Sequence, residues 1–141
     1  MVLTNRFLEA TVKTYQFCEM DFLGVRPRAI CKDNFNISIQ AGRGYNSQPN
    51  NDFGPYTHVE LGYPIHPSKF LMFLMETFGI PVVEVSIVEH AEDGKHLTQT
   101  IYKNVPVEKV DELIKKHGGI VGWEVNEGSY LRTHRWREKD K

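Results

Sequence analysis

Hydrophobic and polar positions alternate most clearly from Asn34, where Phe35, Ile37 and Ile39 interleave with Asn34, Asn36, Ser38 and Gln40. Alternation puts the two sets on opposite sides of an extended chain, so the stretch predicts a strand with one buried and one polar face. A loop follows, Gly42-Arg43-Gly44-Tyr45 through Asn50-Asn51-Asp52-Phe53-Gly54-Pro55, rich in turn formers and too long for a tight hairpin. Thr57, Val59 and Leu61 then alternate with Tyr56, His58 and Glu60, which predicts a second strand ended by Gly62 and Pro64.

The apolar run Phe70 to Phe78 is dense in Leu and Met, opens after Pro67 and Ser68, and stops at Gly79 and Pro81. It predicts a largely buried helix. Val82 to Val88 is β-branched, with Glu84 and Ser86 set against Val83, Val85 and Ile87. Together with Leu97 to Tyr102 it predicts a β-hairpin closed by Ala91-Glu92-Asp93-Gly94-Lys95. Pro106 suits a first helical turn. From there Val107, Val110, Leu113 and Ile114 form one apolar stripe, with Lys115, Lys116 and His117 in the last turn and Gly118 as the stop. Ile120 to Val125 reads as a last strand. The expected fold is therefore α+β, a single antiparallel sheet carrying two helices, with its core domain over 34–125. Residues 1–33 read as an arm that wraps its own domain or a neighbouring subunit, in which Pro27 holds Arg26 extended, and 126–141 as a basic segment whose last residues read as a solvated tail.

Composition narrows the function. A length of 141 residues with 40% hydrophobic and 25% charged positions suits one folded domain. The net charge of −1 supplies no field for a long nucleic acid. Arg6, Glu9 and Lys13 interrupt the apolar residues of the N-terminus, and no apolar run approaches a membrane span, so a cytoplasmic protein away from the membrane is expected. Cys18 and Cys31 match neither zinc nor redox spacing and read as free thiols.

Catalytic motifs appear only in halves. His58-Val59-Glu60 has the His-x-Glu form of a zinc nucleotide deaminase but lacks the Cys-x-x-Cys half. His96-Leu97-Thr98 has the His-x-Thr form of two-histidine phosphodiesterases, which need a second such motif to supply both acid and base. His134 precedes Arg135 and lacks that threonine. No metal, cofactor or catalytic residue is expected. Equipment for holding a nucleotide does accumulate: Gly42-Arg43-Gly44 for phosphate, Tyr45, Tyr56, Tyr102 and Trp123 as faces for a base, and Arg132 and Arg135, which share a side if their segment is helical.

Ser38-Ile39-Gln40 with its glycine-tyrosine loop, Pro55-Tyr56-Thr57-His58-Val59-Glu60-Leu61-Gly62, Thr98 through Glu108, and the helix ending His117-Gly118-Gly119-Ile120 carry a resemblance. From Asn34 to Gly122 the chain resembles a phage family that blocks the Thoeris bacterial defence by sequestering a cyclic ADP-ribose signal. The resemblance implies a non-catalytic sponge that assembles as a dimer or hexamer in the infected cell. It also implies binding of cyclic ADP-ribose isomers and, in some members, cyclic oligonucleotides. Arg132 and Arg135 would then meet phosphate, Asn104 and Thr100 hydroxyls, and Tyr56 or Tyr102 the base, with Arg28 or Arg43 adding charge. Both ends look longer than the family core. Two other readings stand beside this one: a nucleotide phosphodiesterase using His58, His96 or Glu60, and a protein-binding inhibitor module acting through the loop from Asn50 to Tyr56.

Overall fold

The structure, a computed structural model, describes residues 1–11, 25–127 and 130–136, the side chains of 125–135 excepted. In chain order the elements are α1 (Thr4–Ala10), β1 (Ala29–Cys31), β2 (Asn36–Gln40), β3 (His58–Ile65), α2 (Lys69–Phe78), α3 (Val85–Val88), β4 (Ile101–Pro106), α4 (Val107–Lys116), β5 (Ile120–Glu127) and β6 (Tyr130–Arg135). The strands form one six-stranded sheet in the order β4-β3-β2-β1-β5-β6, every neighbouring pair antiparallel. The α+β class read from the sequence holds, with four helices among the described residues where two were expected.

β1 to β4 form a meander, so β4 and β5 point the same way with three strands between them. Strands that run parallel need a crossover, and α4 supplies it along the apolar face of the sheet. Its stripe Val107, Val110, Leu113 and Ile114 is buried, in one core with Ile37 and Ile39 of β2, Val59 and Leu61 of β3, and Tyr102 and Val105 of β4. Past α4, Gly118 and Gly119 both take φ near +89°, and a Cβ on Gly119 would lie 2.6 Å from Met1 Cγ. A side chain there would be strained and obstructed, which is why two glycines begin the turn into β5. The turn is fixed by Lys32 N–H donating to Gly119 O at 3.0 Å and by the His117 ring stacked 4.0 Å from Phe35.

The segment expected to be an arm is part of this core wherever it is described. α1 lies on the same face as α4, with Phe7 fully buried and set edge-on to Trp123 at 6.3 Å, and β1 lies inside the sheet between β2 and β5. Asp111 of α4 ties α1 down: its Oδ1 accepts from the Thr4 amide at 3.0 Å and from Thr4 Oγ1 at 2.6 Å. The basic C-terminal segment also departs from a solvated tail, since 130–135 pairs with β5 and the Trp136 ring meets Trp123 edge-on at 4.7 Å.

Three further expectations are corrected. β3 does not stop at Gly62 but runs to Ile65. β4 begins opposite Gly62, so Pro64 lies past the end of that ladder, where its missing N–H costs no β4 bond. The hairpin over Val82–Val88 and Leu97–Tyr102 is absent: Val85–Val88 is one helical turn, 97–100 is turn, and the strand starts at Ile101. Val83 and Ile87 are the buried members of that run, and their spacing of four is served by a turn as well as by alternation. Finally, α2 forms where expected, capped by Ser68 Oγ accepting from Leu71 N at 3.1 Å, yet none of its residues is buried. No described helix is long and apolar enough to cross a membrane.

Replacing Asp111 with alanine strands the buried Thr4 hydroxyl and amide. The expected loss is about 2–3 kcal/mol of unfolding free energy, read as a lower urea midpoint at unchanged m value.

Candidate functional site

The long loop between β2 and β3 is shaped by its own polar groups. Gly42 and Gly44 adopt positive φ, and Ser47 Oγ accepts from Gly42 N at 3.0 Å. Asn46 gives both its backbone amide and its Nδ2 to Glu60 Oε1, at 3.2 and 2.7 Å. Tyr56 closes the loop, its hydroxyl donating to Asn51 O at 2.9 Å. Asn5 then clips this end of the loop to α1, accepting from Tyr56 N at 2.8 Å and donating to Tyr56 O at 3.0 Å.

Between α1, the loop and the extended residues before β1 lies a cavity of about 460 Å³, lined by Asn5, Leu8, Glu9, Thr11, Arg26 and residues 52–56. Arg26, only 7% exposed, is the basic residue of this lining. Gln40 holds the Arg26 backbone, accepting from its amide at 2.9 Å and donating to its carbonyl at 2.8 Å. One guanidinium nitrogen, Nη1, donates to Ala41 O, while Nε is buried with no partner. No described carboxylate pairs with this guanidinium. A buried cation without a counter-charge is costly, and an anion placed against it recovers that cost. Around it the lining is mixed: Tyr56, only 4% exposed, Phe53, 80% exposed, and the acidic residues Glu9 and Asp52.

Of the residues singled out by sequence, Tyr56 lines this cavity, and Arg43 reaches its rim through its backbone amide, which donates to Asp52 Oδ1 at 3.1 Å. Arg28 lies on the opposite, polar face of the sheet. It donates to Asn36 Oδ1 at 2.9 Å and to Tyr63 O; burial lowers its pKa and nearby Glu124 partly restores it. Thr100 is buried and accepts from Asp93 N at 2.9 Å, and Asn104, at φ 50°, donates its amide to Asn46 O at 3.2 Å. Tyr102 is fully buried, its hydroxyl on Leu97 O and its pKa pushed up to about 12 by burial, so its ring is core and offers no face to a base. Arg132 and Arg135 lie in strand β6 rather than a helix, so the three-residue spacing that would align them does not apply; their side chains lie outside the described residues. Cys31 is a free, buried thiol, and Cys18 lies outside the described residues.

The histidines are dispersed. His58 pairs opposite Pro106 at one end of the β3–β4 ladder, while His96 lies in the loop before Ile101 at the other. Six residues of strand, roughly 20 Å, separate the two ends. His134 belongs to β6, at the opposite edge of the sheet from β4. His58 Nδ1 meets Thr57 Oγ1 at 2.9 Å and His96 Nδ1 meets Asp93 Oδ2 at 2.7 Å, which holds the Asp93 carboxyl below its usual range. Glu60 is engaged by Asn46, and the described residues contain no cluster of three metal-ligating side chains.

Sequence reasoning missed Arg26, Phe53 and Asn5 as the makers of the cavity. The one signal was Pro27, which extends Arg26; nothing in the string Arg26-Pro27-Arg28 says which arginine is buried. No family model, curated protein or solved structure matches this chain.

Tyr102 and Cys31 are both buried acids kept neutral, each with a pKa raised to about 12. An unfolded chain ionises these groups near pH 9–10, so their contribution is intact below that range and is lost as pH rises toward 12. Thermal midpoints measured across pH 8–12 are expected to fall, and more shallowly in a Tyr102→Phe variant.

Proposed function

We propose that this protein is a non-catalytic binder that sequesters a small cyclic nucleotide in the Arg26 cavity. The observation that carries this reading is the buried guanidinium, with Nε unpartnered and no ion pair to a carboxylate among the described residues. A phosphate oxygen is the acceptor that a planar N–H fork fits best, and charge-assisted bonds of this kind are the strong ones.

The rest of the lining suits the rest of a nucleotide. Ribose hydroxyls are donors, and carboxylates such as Glu9 and Asp52 accept from them, as acidic side chains do in dinucleotide sites. A base needs an aromatic face, and Phe53, 80% exposed in the lining, offers one. A volume of about 460 Å³ lies within the range of small-molecule sites. A cyclic ADP-ribose isomer, the ligand implied by the resemblance, combines pyrophosphate, two riboses and adenine. The dispersed histidines give such a ligand no facing pair of histidines, which favours holding over two-histidine cleavage. Such a sponge blocks an anti-phage signal by stoichiometry, and slow release matters more than turnover.

Titration calorimetry with cyclic ADP-ribose isomers and cyclic oligonucleotides is expected to give saturable binding, with intact ligand released on heating. Arg26→Gln should weaken binding by about ten- to a hundredfold, the equivalent of one charged hydrogen-bonding group, while the free variant stays folded by circular dichroism. Linear product in the heated supernatant would point to a hydrolase instead, and binding undiminished in Arg26→Gln would remove the site.

A further inference from the structure

We propose that the cavity between the end of α2 and the loop before β4 is a small-molecule site for a zwitterion with an apolar side chain, of the class of free amino acids and dipeptides. The cavity has a volume of about 390 Å³, within the range of small-molecule sites. Met75, Glu76, Gly79 and Ile80 line it from the helix end, and residues 94–99 line it from the loop. It shares no lining residue with the Arg26 cavity, so it stands apart from nucleotide binding there.

The loop is shaped by its own hydrogen bonds. Asp93 Oδ1 accepts from the Lys95 amide at 2.9 Å and its Oδ2 meets His96 Nδ1 at 2.7 Å, while the Tyr102 hydroxyl donates to Leu97 O from the core. One side-chain bond ties this loop to the helix, Thr98 Oγ1 donating to Glu76 Oε1 at 2.6 Å. A Cβ on Gly79 or on Gly94 would meet nothing within 4 Å, so both glycines border open space. A gap between two walls already held in place is one a ligand fills without first ordering a loop.

The lining sets the chemistry of the occupant. Met75, Leu97 and Ile80 are all partly open to water, and an apolar group seated among them covers that surface. Glu76 supplies negative charge in the last turn of α2, beside the negative end of the helix dipole. Pro81 has no N–H to give the Thr77 carbonyl four residues back, so that end stays rich in acceptors. An ammonium group suits it. Lys95 supplies positive charge from the loop and suits a carboxylate. Neither Glu76 nor Lys95 has an ion pair among the described residues, with each other or with a third group. Two opposite charges that line one cavity without meeting are bridged by a ligand that carries both signs.

Titration calorimetry of the full chain with L-phenylalanine and with the dipeptide Phe-Leu is expected to give saturable binding of one or both. Phenethylamine and hydrocinnamate, which each lack one of the two charges, should bind about tenfold more weakly. Glu76→Gln keeps an acceptor for Thr98 and should weaken the zwitterion about tenfold, erasing its preference over hydrocinnamate. Lys95→Met should weaken it about as much and erase the preference over phenethylamine, with both variants folded by circular dichroism. Failure of both zwitterions to bind overturns the proposal. So do half-ligands that bind as tightly as the whole, and a zwitterion held undiminished by either variant.

Discussion

One apolar sheet face has to be covered, and α4 is the element that covers it. The meander leaves β4 at one edge and places β5 beyond β1, so the chain must cross three strands to continue. A ten-residue helix makes the crossing and buries Val107, Val110, Leu113 and Ile114 on the way. The positive-φ glycines that follow and the Asp111 contact that seats α1 both depend on where that helix ends and which way it faces. α1 in turn carries Asn5, whose paired hydrogen bonds fix the loop at Tyr56. The cavity is thus the far end of a chain of contacts that begins with α4.

The cavity is notable for where its charge lies. Arg28, two residues on, finds a side-chain amide, two carbonyls and a carboxylate on the polar face of the sheet. Arg26 is turned toward the core side and finds one carbonyl. The Gln40 side chain fixes this arrangement by bonding both backbone polar groups of Arg26. Selection for stability alone would favour an apolar residue or a counter-charge at such a position. An arginine held there by its backbone, with an open Nε, is the feature on which the proposed binding role rests.

α2 and α4 make an instructive pair. Both are ten residues long and both carry an apolar face at helical spacing. The α4 face meets the sheet, while the α2 face meets water. The difference follows from connection: α4 must span the sheet, whereas α2 sits in the excursion between β3 and β4, adjacent strands that need no crossover. Local pattern states that a helix has an apolar face but not what that face will touch.

The sequence by itself determined the elements whose signal is local. β2, the start of β3, α2 as a helix, α4 with its stripe and stop, and β5 all lay where alternation or helical spacing placed them. It also determined the α+β class, since antiparallel strands and helices were legible in their order. Only the tertiary structure decided the rest, because the rest depends on partners distant in sequence. The β-branched run Val82–Val88 became a turn of helix once it had no strand to pair with, and β3 ran through Pro64 because its neighbour ended first. β1 became an interior strand because β5, about ninety residues later, paired along its other edge. The same holds for the site. Tyr56 and Tyr102 look alike in the string and both are buried, yet only Tyr56 borders this cavity; Arg26 and Arg28 are near neighbours, yet Arg26 is the one that keeps a buried nitrogen, Nε, without a partner. Burial and pairing are properties of the assembled sheet, and residue type and spacing do not encode them.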